Sequence, residues 1–381
     1  MKYYCFICDT PYHLLNCINL YISIKKPDDR ADIFIGDSFR TYNKIADNLE
    51  QVNIFDRIIK YKTPHLNNKL KLLRNKFIEF ASEKKILLLW TNGKIDLTAS
   101  YSDIFFAYNS PFVCTMRQMY HTAKMHLFED GTSTYLGYAQ VLSRKRKFVY
   151  RCLKKNIRIY DDYDLWVNNV NLYKNIHPKE RHVIKAIPPL APDKSNLMSI
   201  LEFVLNNQSN NNFSECKYKD FNYIFLTQPY DFLTQCNKNN IQVFREAEEN
   251  VLKVLQKEYK SVIRVHPRQK DSNYKNFYVD YGNNMWEIIC ATDISNHHVL
   301  VSFCSTAQII PKLFYNIEPY LIFMFPMVEC GLSKKRIKSL RNFIHVVMKL
   351  YNNKDKIIVL EKPEDFQKTI DKIKLIEHCN E

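Results

Sequence analysis

The stretch "NLMSILEFVLNNQSNNNFSECKYKDF", residues 196–221, and the "YIFLTQP" of residues 223–229 after it decide how this chain is divided. The centre of the first is asparagine and serine without an apolar period, the composition of a connecting segment or an exposed loop. The second is a short apolar run ended by a proline, which reads as a strand and its closing turn. From there the chain alternates. The helical pattern "QVFREAEENVLKVLQKEY" (242–259) leads to the apolar "SVIRVHP" (261–267). Then come "HVLVSFCST" (298–306), the helical "AQIIPKLFY" (307–315) and the apolar "PYLIFMF" (319–325). Residues 356–378 read as a strand and an amphipathic helix.

The same alternation runs ahead of the divide. "KYYCFICDTPYHLLNCINLYISI" (2–24) reads as strand, loop and helix, with Leu14, Leu15, Ile18 and Tyr21 on one helix face. "ADIFIGD" (31–37), "FDRIIKYK" (55–62), "KKILLLWTNG" (84–93) and "MHLFEDG" (125–131) read as strands, with a helix over "LNNKLKLLRNKFIEFASEK" (66–84). Strands alternating with helices predict parallel sheets covered on both faces. The expected architecture is α/β: two Rossmann-like domains, 1–195 and 221–381, joined by a linker over 196–220, with a cleft between them. The last helix is in a position to pack back on the first domain.

With 381 residues, 46% of them apolar, the chain can fill two cores. A formal net charge of +15 favours an anionic partner, such as a phosphorylated donor or an acidic membrane leaflet. The densest basic run, "RKRKFVYRCLKK" (144–155), reads first as a solvated helix face and second as a membrane-surface patch. No zinc-finger spacing or RNP-like aromatic pattern points to nucleic acid. The 11 cysteines have no framework spacing, and Cys5 and Cys8 sit three apart on a strand, pointing to opposite faces. Reduced, buried thiols in a cytoplasmic protein are expected. Asp9 and His13 interrupt the N-terminal apolar run too early for a secretory signal, and no run reaches the ~18–20 residues of a spanning helix. Peripheral contact with the anionic inner face of the membrane and a homodimer both stay open.

Six glycines leave no P-loop and no G-x-G-x-x-G, which sets aside P-loop kinases and glycine-fingerprint dehydrogenases. No clustered metal spacing or D-x-D triplet occurs, and "DDYD" (161–164) reads as a helix start or a turn, so no metal or cofactor is expected. The positive signals lie at strand ends. "VIRVHPRQ" (262–269) delivers Arg264, His266 and Arg268 where open α/β sheets place ligand-binding groups, and Pro267 keeps His266 extended. Such a histidine can protonate or hydrogen-bond a leaving phosphate, although a strand-end histidine packed on proline is the plainer reading. Ser302, Ser305 and Thr306 stand just ahead of a helix, as a cap or as a phosphate site of hydroxyls and N–H groups. "YIFLTQPYDF" (223–232) puts Gln228 and Asp231 after a strand. "CDTPYHLL" (8–15) gathers Asp9, Thr10, Tyr12 and His13 between the first strand and helix. "HLFEDGTSTYLGY" (126–138) holds two of the six glycines, and its Glu129-Asp130-Gly131 is either a surface turn or the rim of an active site.

In this order "DTPYHLL", "FEDGT", "LTQPYD", "VHPRQ" and "SFCSTA" resemble the bacterial lipooligosaccharide and capsule sialyltransferases of glycosyltransferase family 52, over residues 4–325. Each motif is short; their order and spacing carry the likeness. The resemblance implies a GT-B fold, with the acceptor handled mainly by the N-terminal domain and CMP-sialic acid by the C-terminal one. It implies inverting, metal-independent transfer to a galactose-terminated glycan, with α2,3 the expected linkage. His266 would be the general acid or phosphate anchor. Gln228, Arg264, Pro267, Arg268, Ser302, Ser305 and Thr306 would surround the donor, and Thr10, Tyr12, His13, Glu129, Gly131 and Thr132 the acceptor. Two residues inherit the role of base, Asp231 first and Asp130 second. Asp231 follows the strand that carries the carboxylate in the lipooligosaccharide enzymes, although Tyr230 directly after Pro229 departs from their pattern. Asp130 matches the acidic-acidic-glycine element of other bacterial sialyltransferases. One phosphate leaves with CMP, so one histidine and a helix N-terminus can compensate its charge. An oxocarbenium-like transition state needs a carboxylate for the acceptor's proton. Transfer of another sugar such as glucose, or silent binding of a glycan or anionic lipid, are the alternatives.

Overall fold

The computed structural model describes residues 1–38, 42–62, 82–135, 148, 151–152, 158–190, 195–205, 217–230, 234, 238–258, 260–266, 269, 274–281 and 285–378. The chain divides into two units, Met1–Asn206 and Asn207–Glu381. Each is built on one parallel sheet.

The strands of the first unit are β1 (Tyr3–Cys8), β2 (Arg30–Gly36), β3 (Arg57–Tyr61), β4 (Asp103–Phe106), β5 (Lys124–Phe128), β6 (Asp164–Val167) and β7 (Ile184–Ala186). They lie in the order β3-β2-β1-β4-β5-β6-β7, every pair parallel. Parallel neighbours need a crossover, and the crossovers bury both faces of the sheet, which is why β1 reads as an unbroken apolar run. The second unit carries β8 (Tyr223–Leu226), β9 (Ser261–Arg264), β10 (Tyr278–Asp280), β11 (Val299–Ser302), β12 (Tyr320–Phe323) and β13 (Ile357–Val359). Their order, β10-β9-β8-β11-β12-β13, repeats the first sheet's plan, again all parallel. In each unit the winding reverses beside the first strand, between β1 and β4 and between β8 and β11. Ligands of such sheets bind at the carboxyl ends of the strands near that reversal.

Two differences from the sequence reading have local causes. "KKILLLWTNG" is not a strand: a helix spans Glu83–Trp90, started by Ser82, whose side chain accepts from the Lys85 N–H. Ile86 and Leu87 are buried while Leu88 and Leu89 face outward, a helical and not an alternating pattern. The sheet position it would have filled belongs to β4, which at four residues is too short to show a period, as are β6, β7 and β10. The stretch assigned to a linker opens with a helix, Ser195–Leu205, which packs on the helices Pro11–Ile24 and Tyr42–Val52. Its Leu201, Val204 and Leu205 are buried, and the Asn48 amide donates to the carbonyls of Phe203 and Val204 at its end. The last helix, Asp365–His378, packs on Lys238–Leu255 of its own unit, with Lys374 2.7 Å from Glu258.

Asp161 closes a short 3-10 turn and Asp164 opens β6. Cys5 and Cys8 are free and buried. Among the described residues no helix is long and apolar enough to cross a membrane. Most of the helix expected over 66–84, the Asn/Ser tract at 206–216 and, apart from Phe148, Arg151 and Cys152, the basic run at 144–155 lie outside the described residues.

Candidate functional site

The first group of residues sits at the carboxyl ends of β1, β4 and β5. Thr10 caps the helix Pro11–Ile24, accepting from the His13 N–H, and Pro11 opens its first turn. The cap leaves His13 in the first turn with a side chain only 1% exposed. Both ring nitrogens are engaged: Nδ1 accepts from the Asp9 N–H at 3.3 Å, and Nε2 lies 2.8 Å from Asp130 Oδ1. An Nδ1 that accepts places the proton on Nε2, so the imidazole donates to the Asp130 carboxylate. "DTPYHLL" and "FEDGT", 117 residues apart at this contact, are thus one cluster. Asp130 itself stays open to solvent, 37% exposed at its side chain. Gly131 follows at φ +57 with open space where a Cβ would stand, a turn that glycine makes without strain. The Thr134 hydroxyl accepts from the Asp130 N–H at 2.8 Å.

Glu129 behaves differently from its neighbour. Assigned to the acceptor by resemblance, it is instead 0% exposed, and its carboxylate receives the Tyr12 hydroxyl at 2.8 Å, the Tyr135 hydroxyl at 2.7 Å and the Asn168 N–H at 2.8 Å. Burial pushes its carboxyl up, and the donors pull it back. Glu129 is a strut that fixes half-buried Tyr12 and the loop after β6. Asp9 is buried too, bonded by the Tyr61 hydroxyl at 2.6 Å and by Tyr108. A Cβ on Gly36 would strike its Oδ1, so that close approach requires glycine. Tyr61 and Tyr108 escaped the sequence reading because one ends β3 and the other follows β4 without any motif. Thr132 begins a single helical turn, Thr132–Tyr135.

The second group sits at the ends of β8, β9 and β11. Gln228 Oε1 accepts from the Cys304 N–H at 2.9 Å and from the Ser302 hydroxyl at 3.4 Å, bridging the reversal between β8 and β11. Ser302 Oγ accepts from the Ser305 N–H at 3.2 Å, and Ser305 caps the 3-10 turn Thr306–Ile309. Ser305 is therefore a cap, and Ser302 braces the loop that leads to it. A capping hydroxyl keeps its own proton, so buried Ser305 retains a donor, and Thr306 is exposed. His266 is half-buried, its N–H given to Thr227 Oγ1 at 2.8 Å and its carbonyl taken by the Gln269 N–H at 2.8 Å.

Arg264, expected at the anion, is found inside. It is 9% exposed, ion-paired with Asp280, 3.2 Å from the Tyr218 hydroxyl and stacked over the Trp286 ring at 5.4 Å. The β9–β10 register sets Asp280 directly opposite it, and a buried guanidinium requires such a counter-charge. A different cation approaches the hydroxyl loop. Arg336, in the first turn of the helix Lys334–Leu350, lies beside the Cys304 thiol and opposes the rise that burial gives its pKa. Its Nε is buried with no hydrogen-bond partner among the described residues. The signal was present as "SKKRIK", a basic run at a helix start. Asp231, Pro267 and Arg268 lie outside the described residues.

No protein-family model and no curated protein sequence matches this chain. Solved structures match it in fold. A Listeria monocytogenes protein assigned as a UDP-N-acetylglucosamine 2-epimerase is 8% identical, over 98% of this chain and 88% of its own, with a TM-score of 0.50. Arabidopsis thaliana UGT89C1, complexed with UDP-L-rhamnose, is 9% identical over 97% and 89%, also at 0.50. The GT-B domain of a sialyltransferase from Photobacterium damselae is 12% identical over 94% and 100%, at 0.48. With two Rossmann-like units in one chain, the fold is GT-B.

Proposed function

We propose that this protein is an inverting glycosyltransferase that moves sialic acid from CMP-sialic acid to a galactose-terminated glycan of bacterial lipooligosaccharide or capsule. The observation that carries the reading is the 2.8 Å contact between His13 Nε2 and Asp130 Oδ1. It joins two of the motifs shared with sialyltransferases and leaves an accessible carboxylate in a fixed orientation. On this reading Asp130 is the base and His13, whose Nδ1 accepts from the Asp9 N–H, is its holder.

Asp130 removes the proton from the acceptor hydroxyl as that oxygen attacks the anomeric carbon. The bond from the anomeric carbon to the phosphate oxygen breaks, and its electron pair leaves with CMP. His266 gives a hydrogen bond or proton to that phosphate, with Ser305, Thr306 and Arg336 as further donors. A single phosphate leaves, so these groups suffice without a divalent ion. The first unit handles the acceptor and the second the donor.

The test is a donor panel with a galactose-terminated acceptor such as lactose. Sialylation from CMP-sialic acid is expected. Turnover with UDP-glucose and none with CMP-sialic acid would replace the donor, and binding of both ligands without any turnover would make this a binding protein.

A further inference from the structure

Behind His266 runs a line of polar side chains that the reaction above does not use. The His266 N–H donates to Thr227 Oγ1 at 2.8 Å, and the Thr227 hydroxyl donates to Gln269 Oε1. Gln269 Nε2 donates to the Tyr274 hydroxyl at 2.9 Å, and Tyr274 is bonded to Glu248. The Gln269 N–H also reaches the His266 carbonyl. Both main-chain polar groups of His266 are thus tied, directly or through one hydroxyl, to Gln269.

Glu248 stands at the far end, on the helix Lys238–Leu255, 8% exposed and with Oε2 unpartnered among the described residues. The same helix buries Phe244, Ala247, Val251 and Leu255. A leucine at 248 would pack there without burying an oxygen that lacks a partner, which is costly. Helix packing does not explain the carboxyl; the bond to Tyr274 does. A polar chain with a loose end is degenerate, because the tyrosine hydroxyl can swing and the glutamine amide can flip, exchanging donor for acceptor. A terminal acceptor removes both alternatives.

We propose that Glu248 is a positioning residue for His266. It receives the Tyr274 hydroxyl, which holds the Gln269 side-chain amide with its oxygen towards Thr227; that amide secures the His266 N–H through Thr227, while the Gln269 main-chain N–H holds the His266 carbonyl. The inference rests on the assignment of His266 to the leaving phosphate. Charged or neutral, the carboxyl accepts from Tyr274, and so does the amide oxygen of a glutamine.

Glu248→Leu, Glu248→Gln and Tyr274→Phe test this through hydrogen exchange at the His266 amide together with kcat and donor KM. In the leucine and phenylalanine variants the His266 amide should lose protection by about fivefold, while amides within β8 and β11 keep theirs. In both, kcat should fall roughly ten- to a hundredfold with donor KM held within about twofold. Glu248→Gln should restore both readouts. Unchanged His266 protection in Glu248→Leu overturns the proposal, as does lost protection with full kcat. If the leucine variant does not fold, Tyr274→Phe reads the same chain by removing one hydroxyl. Exchange needs no turnover, so a protein that transfers no sugar sinks the functional reading and leaves the exchange result to stand by itself.

Discussion

The two strand edges that carry the candidate groups occupy the same place in the same topology and are made of opposite materials. At the first, Asp9, Glu129 and Asp130 are carboxylates, each held by named donors: Tyr61, the Tyr12–Tyr135 pair and His13. At the second, Thr227, Gln228, Ser302 and Ser305 are neutral, with His266 and Arg336 beside them, and the nearby carboxylate Asp280 is taken up by Arg264. An edge of carboxylates repels a phosphate and suits a hydroxyl that must lose a proton. A neutral edge with an arginine at hand does the reverse. On the proposed reading it is these side chains, and not the fold alone, that divide the labour.

The largest effect should come from breaking the acidic edge. Asp130→Asn keeps the shape and the contact with His13 but removes the base, so kcat should fall by ~10²–10⁴ while CMP binding to the isolated protein is unchanged. Asp231→Asn, made in parallel, should leave most turnover intact. If Asp231→Asn alone abolishes transfer, the base belongs to the second unit and the division of labour collapses.

That both edges could be found at all follows from their local signatures. An apolar run and a polar turn were legible at β1, β5, β9 and β11, with a helix start after β1 and β11. The links between them were not. His13 meets Asp130 across 117 residues, and nothing in either motif announces the other. Glu129 and Asp130 are chemically alike in sequence, yet successive residues leaving a strand point to opposite sides. One is sealed inside and the other faces solvent. Arg264 invited an anion because its partner Asp280 sits on a three-residue strand too short to be read. "KKILLLWTNG" misleads because three consecutive leucines satisfy a buried strand and an amphipathic helix alike, and the deciding residue is the cap at Ser82.

The comparison of materials extends to two buried glutamates. Glu129 has three donors and Glu248 has one, so Glu248 bears more of its burial penalty uncompensated. Burial pushes its carboxyl from 4.5 up to about 7. A folded-state value raised above the unfolded one means the native protein holds its proton more tightly. The associated stability is fully present below pH 4.5 and is lost as pH rises through about 7. The loss amounts to ~3 kcal/mol at most. Urea unfolding at mildly acid and mildly alkaline pH should show this decline in the wild type and a flatter profile in Glu248→Gln. An equal slope in the variant would mean that other groups govern it.

The smallest effect probes the neutral edge. Arg336 brings a cation to a loop whose own side chains are uncharged, and its Nε is buried with no hydrogen-bond partner among the described residues. A charge-assisted bond to the CMP phosphate would satisfy that nitrogen. Removing it should then weaken CMP by about tenfold, the lower part of the range for hydrogen bonds to charged groups because the arginine is half-exposed. Calorimetric titration of Arg336→Ala with CMP and with cytidine separates charge from packing. Cytidine lacks the phosphate, so its affinity should not change. An equal loss for both ligands would mean that Arg336 supports the Cys304 loop and not the anion.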